Sequence, residues 1–167
     1  GYELSGSYIS NGDMGSLNGD GTPSYWGASG TAAVISDDTE YAGGSRSMKV
    51  TGRASASDGA MQYTSADIKA NKTYKISMKI KSDQTDTFKF IFQNNFWQDM
   101  TVVSREVNAG EWTEISGYFD TPVDFDGGSI RIVSENTNTD FYIDDVMMQL
   151  ATEVGVDIVT NGSFEDG

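Results

Sequence analysis

Carboxylates are the chief reactive groups of this chain. Its 167 residues include 25 Asp and Glu but no cysteine and no histidine. Those two zeros exclude a thiolate nucleophile, a disulfide, a thiolate metal site, an imidazole base and His-ligated zinc. What remains for catalysis is a carboxylate pair, which needs two acids roughly 5 to 9 Å apart across a cleft, one with a raised pKa. With so many acids some pair is always at hand, and no nucleophile motif accompanies one, so the chain reads as non-catalytic. What remains for metals is ligation by oxygen, which favours calcium.

A second group of residues is equipped to bind. Residues 92–100, FQNNFWQDM, set Phe96 and Trp97 among Gln93, Asn94, Asn95 and Gln98. Aromatic faces supply apolar contact area at low entropy cost, and a few placed polar groups fix a ligand's orientation. Adjacent aromatics on a strand point to opposite faces, so one of the pair is expected in the core and the other outside. The alternative is that both anchor a loop. Trp97 is the first choice as a platform, with Gln93 beside it. Residues 129–135, SIRIVSE, put Ile130 and Ile132 inside and leave Arg131, Val133 and Glu135 on the other face. An Arg131–Glu135 ion pair is the plain alternative to ligand contact there.

The elements that must carry these residues are strands. Period-two alternation dominates, most clearly in residues 72–82, KTYKISMKIKS, where Tyr74, Ile76, Met78 and Ile80 face one way and Lys75, Ser77, Lys79 and Lys81 the other. Similar runs cover residues 46–53, 87–93, 100–107, 111–119 and 140–150. Turn signals separate them: Asn71-Lys72, the Asn108-Ala109-Gly110 triplet and Gly127-Gly128. Eight to ten strands at roughly ten- to fourteen-residue spacing, with no helical period, predict an all-β antiparallel sandwich.

Bulk properties narrow the partners. The net charge is −14, which opposes nucleic acid and anionic membrane surfaces, since both require a basic footprint. No run of 18 apolar residues is present and no signal peptide opens the chain. Nineteen glycines, two prolines and abundant Ser, Thr, Asn and Asp give a composition common in secreted β-sandwiches.

The chain also echoes itself. YISNGDMGS begins at Tyr8 and DIVTNGSFEDG at Asp157, so the two Asn-Gly pairs stand 150 residues apart. That is a domain-sized period rather than a solenoid repeat. The expected organisation is a linker remnant over residues 1–7, one module over 8–150, and over 151–167 a linker with the first strand of a second tandem module.

Five pieces in order resemble carbohydrate-binding modules of the related families 4, 9, 16 and 22, most closely family 22: NGSFEDG, GGSRSMKVTGRASASDGAMQY (residues 43–63), IKANKTYKISMKIKS, AGEWTEISGYF and TDFYIDDVMMQ. The resemblance implies a jelly-roll β-sandwich of two antiparallel sheets, usually with one structural calcium. It implies a concave sheet face that holds a xylan or mixed-linkage β-glucan chain, and a non-catalytic place, as a monomeric unit, in a secreted bacterial multidomain polysaccharide-degrading enzyme. It assigns sugar contact to Glu135. Tyr25 in SYWGASG is expected at the rim of the cleft, whereas Trp26 and Trp112 are expected to pack and Arg53 to brace loops. Two departures stand out: Ser57 occupies the family's stacking-tryptophan position, and Val133 the place of a tyrosine. Trp97 and Tyr63 are the expected replacements. For calcium, the resemblance assigns Asp145, with Asp13 and Ser45 at the matching places of the opening motif and the glycine-serine loop; Gly15 stands where the second copy of the motif has Glu165. The competing reading is a structural or adhesive β-sandwich spacer without sugar binding, with catalysis a distant third.

Overall fold

A computed structural model describes residues 1–155, and the second copy of the opening motif lies outside the described residues. Eleven strands are present and no helix among these residues. They are β1 (Tyr2–Ser7), β2 (Gly27–Ser29), β3 (Ala33–Asp37), β4 (Ser47–Thr51), β5 (Gly59–Tyr63), β6 (Thr73–Ser82), β7 (Asp86–Gln93), β8 (Asp99–Val107), β9 (Thr113–Asp120), β10 (Ser129–Ser134) and β11 (Phe141–Glu153). All pairings are antiparallel. One sheet runs β3-β4-β11-β6-β9 with β1 also on β11, and the other runs β2-β5-β10-β7-β8. The predicted all-β sandwich of two antiparallel sheets is the fold.

The alternation that predicted the strands also builds the core. Tyr74, Ile76, Met78 and Ile80 of β6 are at most 1% exposed, as are Phe88, Phe90 and Phe92 of β7 and Ile130 and Ile132 of β10. They meet between the sheets: the Phe88 and Phe141 rings pack edge-on at 5.0 Å, and Phe92 stacks on Phe119 at 5.8 Å. Each such ring contributes about 1.5–3 kcal/mol of transfer free energy. Trp26 belongs to this core, its indole N–H donating to the Asn11 carbonyl at 3.1 Å.

The chain's opening corrects one expectation. Residues 2–7 are not a linker remnant but strand β1, paired with residues 149–153 of β11. The reason is the length of β11: β4 covers its edge only at residues 141–143. Its far end would otherwise present a bare edge, and β1 supplies the missing ladder partner.

Candidate functional site

The five-stranded sheet turns its second face outward, and register sets that face in rows. At one end Tyr63, Ser129, Gln93 and Asp99 stand opposite one another across β5, β10, β7 and β8. The middle row holds Met61, Arg131, Ile91 and Thr101. Val133 and Lys89 lie in the row beyond.

The first row opens into the β7–β8 hairpin loop. Asn94 shapes that loop: its side-chain oxygen accepts the Phe96 N–H at 2.8 Å and the Gln98 N–H at 3.0 Å, while its amide donates to Gln98 Oε1 at 2.8 Å. The turn carries Trp97 at φ 65° and presents it to solvent. The expectation that one of the two aromatics enters the core fails, because both belong to this loop and not to a strand. Phe96 is 73% exposed and Trp97 82%.

Trp97, Gln93, Asn94, Asn95, Gly128, Ser129 and Tyr63 line one recess of about 110 Å³. Gly128 is required there, since at φ 116° a Cβ would stand 1.8 Å from the Gln93 carbonyl. Tyr63, 80% exposed, also borders a second recess of about 340 Å³ with Tyr25, Trp26, Met61 and Gln62. Tyr25 is 72% exposed, at φ 70°. Three rings thus follow one end of the sheet in the order Trp97, Tyr63, Tyr25, with Gln93 and Ser129 between the first two.

The remaining assigned residues fall elsewhere on that face. Arg131 is buried in the middle row, bonded to Asp99 at 2.7 Å and to the Ser57 carbonyl at 3.2 Å. Its Nε has no partner among the described residues. Glu135 lies past the opposite end of β10 and pairs with Lys89 at 3.2 Å. The suggested Arg131–Glu135 pair is therefore not formed, because each residue has a nearer opposite charge on a neighbouring strand. Asp99 and Ser129 escaped the sequence reading, which named Asn94 only as a neighbour of the rings. The acid that ends FQNNFWQD was a signal for the first, but its meeting with Arg131 depends on strand register.

Arg53 braces loops, as expected. Its guanidinium donates to the carbonyls of Asp58 (2.7 Å), Ser134 (2.6 Å) and Asn136 (2.6 Å). Asp58 closes the same loop by accepting from the Ala54 N–H, the Ser55 hydroxyl and the Thr31 hydroxyl, each at 2.9 Å. These donors, the Ala54 amide foremost, hold its carboxyl far below the usual range.

Of the residues assigned to calcium, Asp145 and Asp13 border one recess, and Ser45 does not line it. Asp145, at φ 48° in a bulge of β11, pairs with Lys79 at 3.1 Å. Asp13 is exposed and accepts the Gly15 N–H at 3.1 Å, and Ser45 is exposed in its loop. Asp144, fully buried, accepts the N–H groups of Ala42, Gly43 and Asp145, and burial pushes its carboxyl above the usual value despite them. No group of three or more acidic side chains suited to a metal occurs among the described residues.

Residues 6–139 match a family model, CBM_4_9, described as a carbohydrate binding domain. The chain belongs to this carbohydrate-binding family. Endo-1,4-beta-xylanase Y of Acetivibrio thermocellus is 33% identical over 110 residues, covering 62% of this chain and 10% of that protein. Endo-1,4-beta-xylanase A of Thermoanaerobacterium saccharolyticum is 29% identical over 175 residues, covering 95% of this chain and 14% of that protein. The chain thus spans a small part of the relatives it matches. Among solved structures, the CBM22-1-GH10 modules of a Clostridium thermocellum xylanase, complexed with xylohexaose, superpose with a TM-score of 0.71 at 28% identity, covering 87% of this chain and 29% of that one. This carbohydrate-binding module carries its aromatic arc on the outward face of a sheet whose opposite face is core.

Proposed function

We propose that this module binds a neutral β-linked plant polysaccharide, xylan or mixed-linkage β-glucan, through the ring arc at the Trp97–Tyr63 end. It would thereby hold a secreted bacterial glycoside hydrolase against its substrate, as one unit of a multidomain chain that includes a second copy. The observation that carries this is the exposure of three large rings around hydrogen-bonding Gln93 and Ser129. Exposing such rings in water costs apolar hydration free energy that only a ligand recovers. Pyranose faces offer flat apolar C–H surfaces to stack on, with hydroxyls at their edges for the Gln93 amide and the Ser129 hydroxyl.

The charged groups support a neutral ligand. Arg131, Asp99, Lys89 and Glu135 neutralise one another in pairs on this face, so these four groups offer no net charge to a ligand. Binding should therefore change little with salt.

Affinity electrophoresis tests the reading. The chain is run through gels containing xylan, barley β-glucan, glucomannan or laminarin, and retardation in the first or second is expected. Unretarded migration in all four would instead support the spacer reading, which the buried and paired state of Arg131 and the serine at position 57 favour.

A further inference from the structure

The Asp144/Met147 bulge of β11 points one carboxylate outward, and three segments converge on it. The bulge itself sets Asp145 in a left-handed conformation at φ 48°. The loop through Gly43 packs so closely that a Cβ on Gly43 would stand 3.1 Å from Asp145 Oδ2. The opening motif is tied in by the Val146 N–H, which donates to the Gly12 carbonyl at 2.9 Å. A recess of about 440 Å³ adjoins, lined in part by Asp13, Asp145, Lys79, Ser77 and Glu114.

Such a junction of loops around acidic side chains calls for a cation, and a divalent ion is poorly served there. Calcium takes six to eight oxygens at about 2.3–2.6 Å. Asp144 has spent both oxygens on backbone N–H groups. Asp13 Oδ1 is held by the Gly15 amide, and Gly15 itself brings no side chain. Asp145 is the carboxylate against which the Gly43 loop packs, and Lys79 Nζ already stands 3.1 Å from its Oδ2. A divalent ion on that oxygen would lie at most about 5.5 Å from the ammonium, and like charges so close repel.

We propose that the Lys79 ammonium is the cation of this junction: tethered to β6, it clamps the Gly43 loop, the bulge and the opening motif in place of a bound calcium. The fold then holds together at any calcium concentration, unlike a sandwich stapled by a bound ion. The inference is independent of sugar binding.

The test needs no variant to begin. Thermal unfolding of the whole chain in excess EDTA and in millimolar calcium chloride should give the same midpoint. A midpoint several degrees higher in calcium overturns the proposal. A double-mutant cycle then examines the clamp with Lys79→Ala, Asp145→Asn and the pair; asparagine tolerates the left-handed backbone. Each single change should lower the midpoint by about 2–4 °C, the pair should lower it no further than the larger single, and Lys79→Arg should recover most of the loss. Fully additive losses would mean that the two charges do not act together, and would also overturn it.

Discussion

Two loops close the outward face of the five-stranded sheet at opposite ends, and they are built in opposite ways. The loop over residues 53–58 is cross-linked within itself and to its neighbours: Arg53 donates to three carbonyls at 2.7 Å or less, and Asp58 accepts from Ala54, Ser55 and Thr31. The loop over residues 94–98 is shaped mainly by the Asn94 side chain and leaves two aromatic rings more than 70% exposed. The first loop ties its charged groups to itself and to the neighbouring segments at Thr31, Ser134 and Asn136. The second holds apolar area in water that only a ligand can cover. The sugar site should therefore lie where the protein has left its own interactions unfinished, although the resemblance pointed to the other loop, at Ser57, for a tryptophan.

Breaking the first loop should have the largest effect. Arg53→Ala leaves the buried Asp58 and Ser134 carbonyls without their guanidinium donor and is expected to cost about 3 kcal/mol or more. Thermal unfolding would show this as a midpoint lowered by about 6–12 °C. Xylan retardation of the protein that stays folded should survive, because the ring arc is at the other end.

Removing the rings should reverse that pattern. Trp97→Ala and Tyr63→Ala should each weaken xylan or β-glucan binding by more than about 1 kcal/mol, while both midpoints stay within about 2 °C of the parent because the rings touch little of the fold. Unchanged affinity in both variants would move the site off this arc.

Asn94→Ala probes the hinge between shape and binding. It removes the acceptor of two amides and should cost about 0.5–1.5 kcal/mol of binding by loosening the turn that presents Trp97. Calorimetric titration with xylohexaose would measure it.

Of these two loops, acid should act on the first. The Asp58 carboxyl is held below its ordinary value of 3.8 chiefly by the Ala54 amide. A depressed carboxyl gives its full stabilisation above that value and loses it as the pH falls below. Asp58→Asn should therefore flatten the fall of the unfolding midpoint below about pH 4. An equally steep fall in the variant would assign the acid limb to other groups.

Glu135→Gln should matter least to binding, with a change below about threefold, since Glu135 is paired with Lys89 at the end away from the rings. A tenfold loss in the same electrophoretic assay would mean that the polysaccharide runs the whole length of the sheet.

Much of the fold was legible because burial and alternation state the same thing. Tyr74, Ile76, Met78 and Ile80 read as an inward row, and they are one. The site was legible only by residue type. FQNNFWQD announced aromatics among amides, but strand alternation was the wrong rule for a stretch whose centre is a turn fixed by one asparagine side chain. Arg131 and Glu135 were placed on the correct face, yet their partners were missed because Asp99 and Lys89 arrive on neighbouring strands. Residues 2–7 read as a linker because β1 is mostly exposed, and its reason to be a strand lies about 150 residues away, at the end of β11.

The sequence by itself determined the all-β class, the inward rows and the absence of imidazole and thiol chemistry. Those follow from residue identity and from a period of two, both local properties. Only the tertiary structure decided which charges neutralise one another, which aromatics stay in water and that Lys79 meets Asp145. These depend on register between strands far apart in sequence, where a slip of one residue would turn every side chain to the other face.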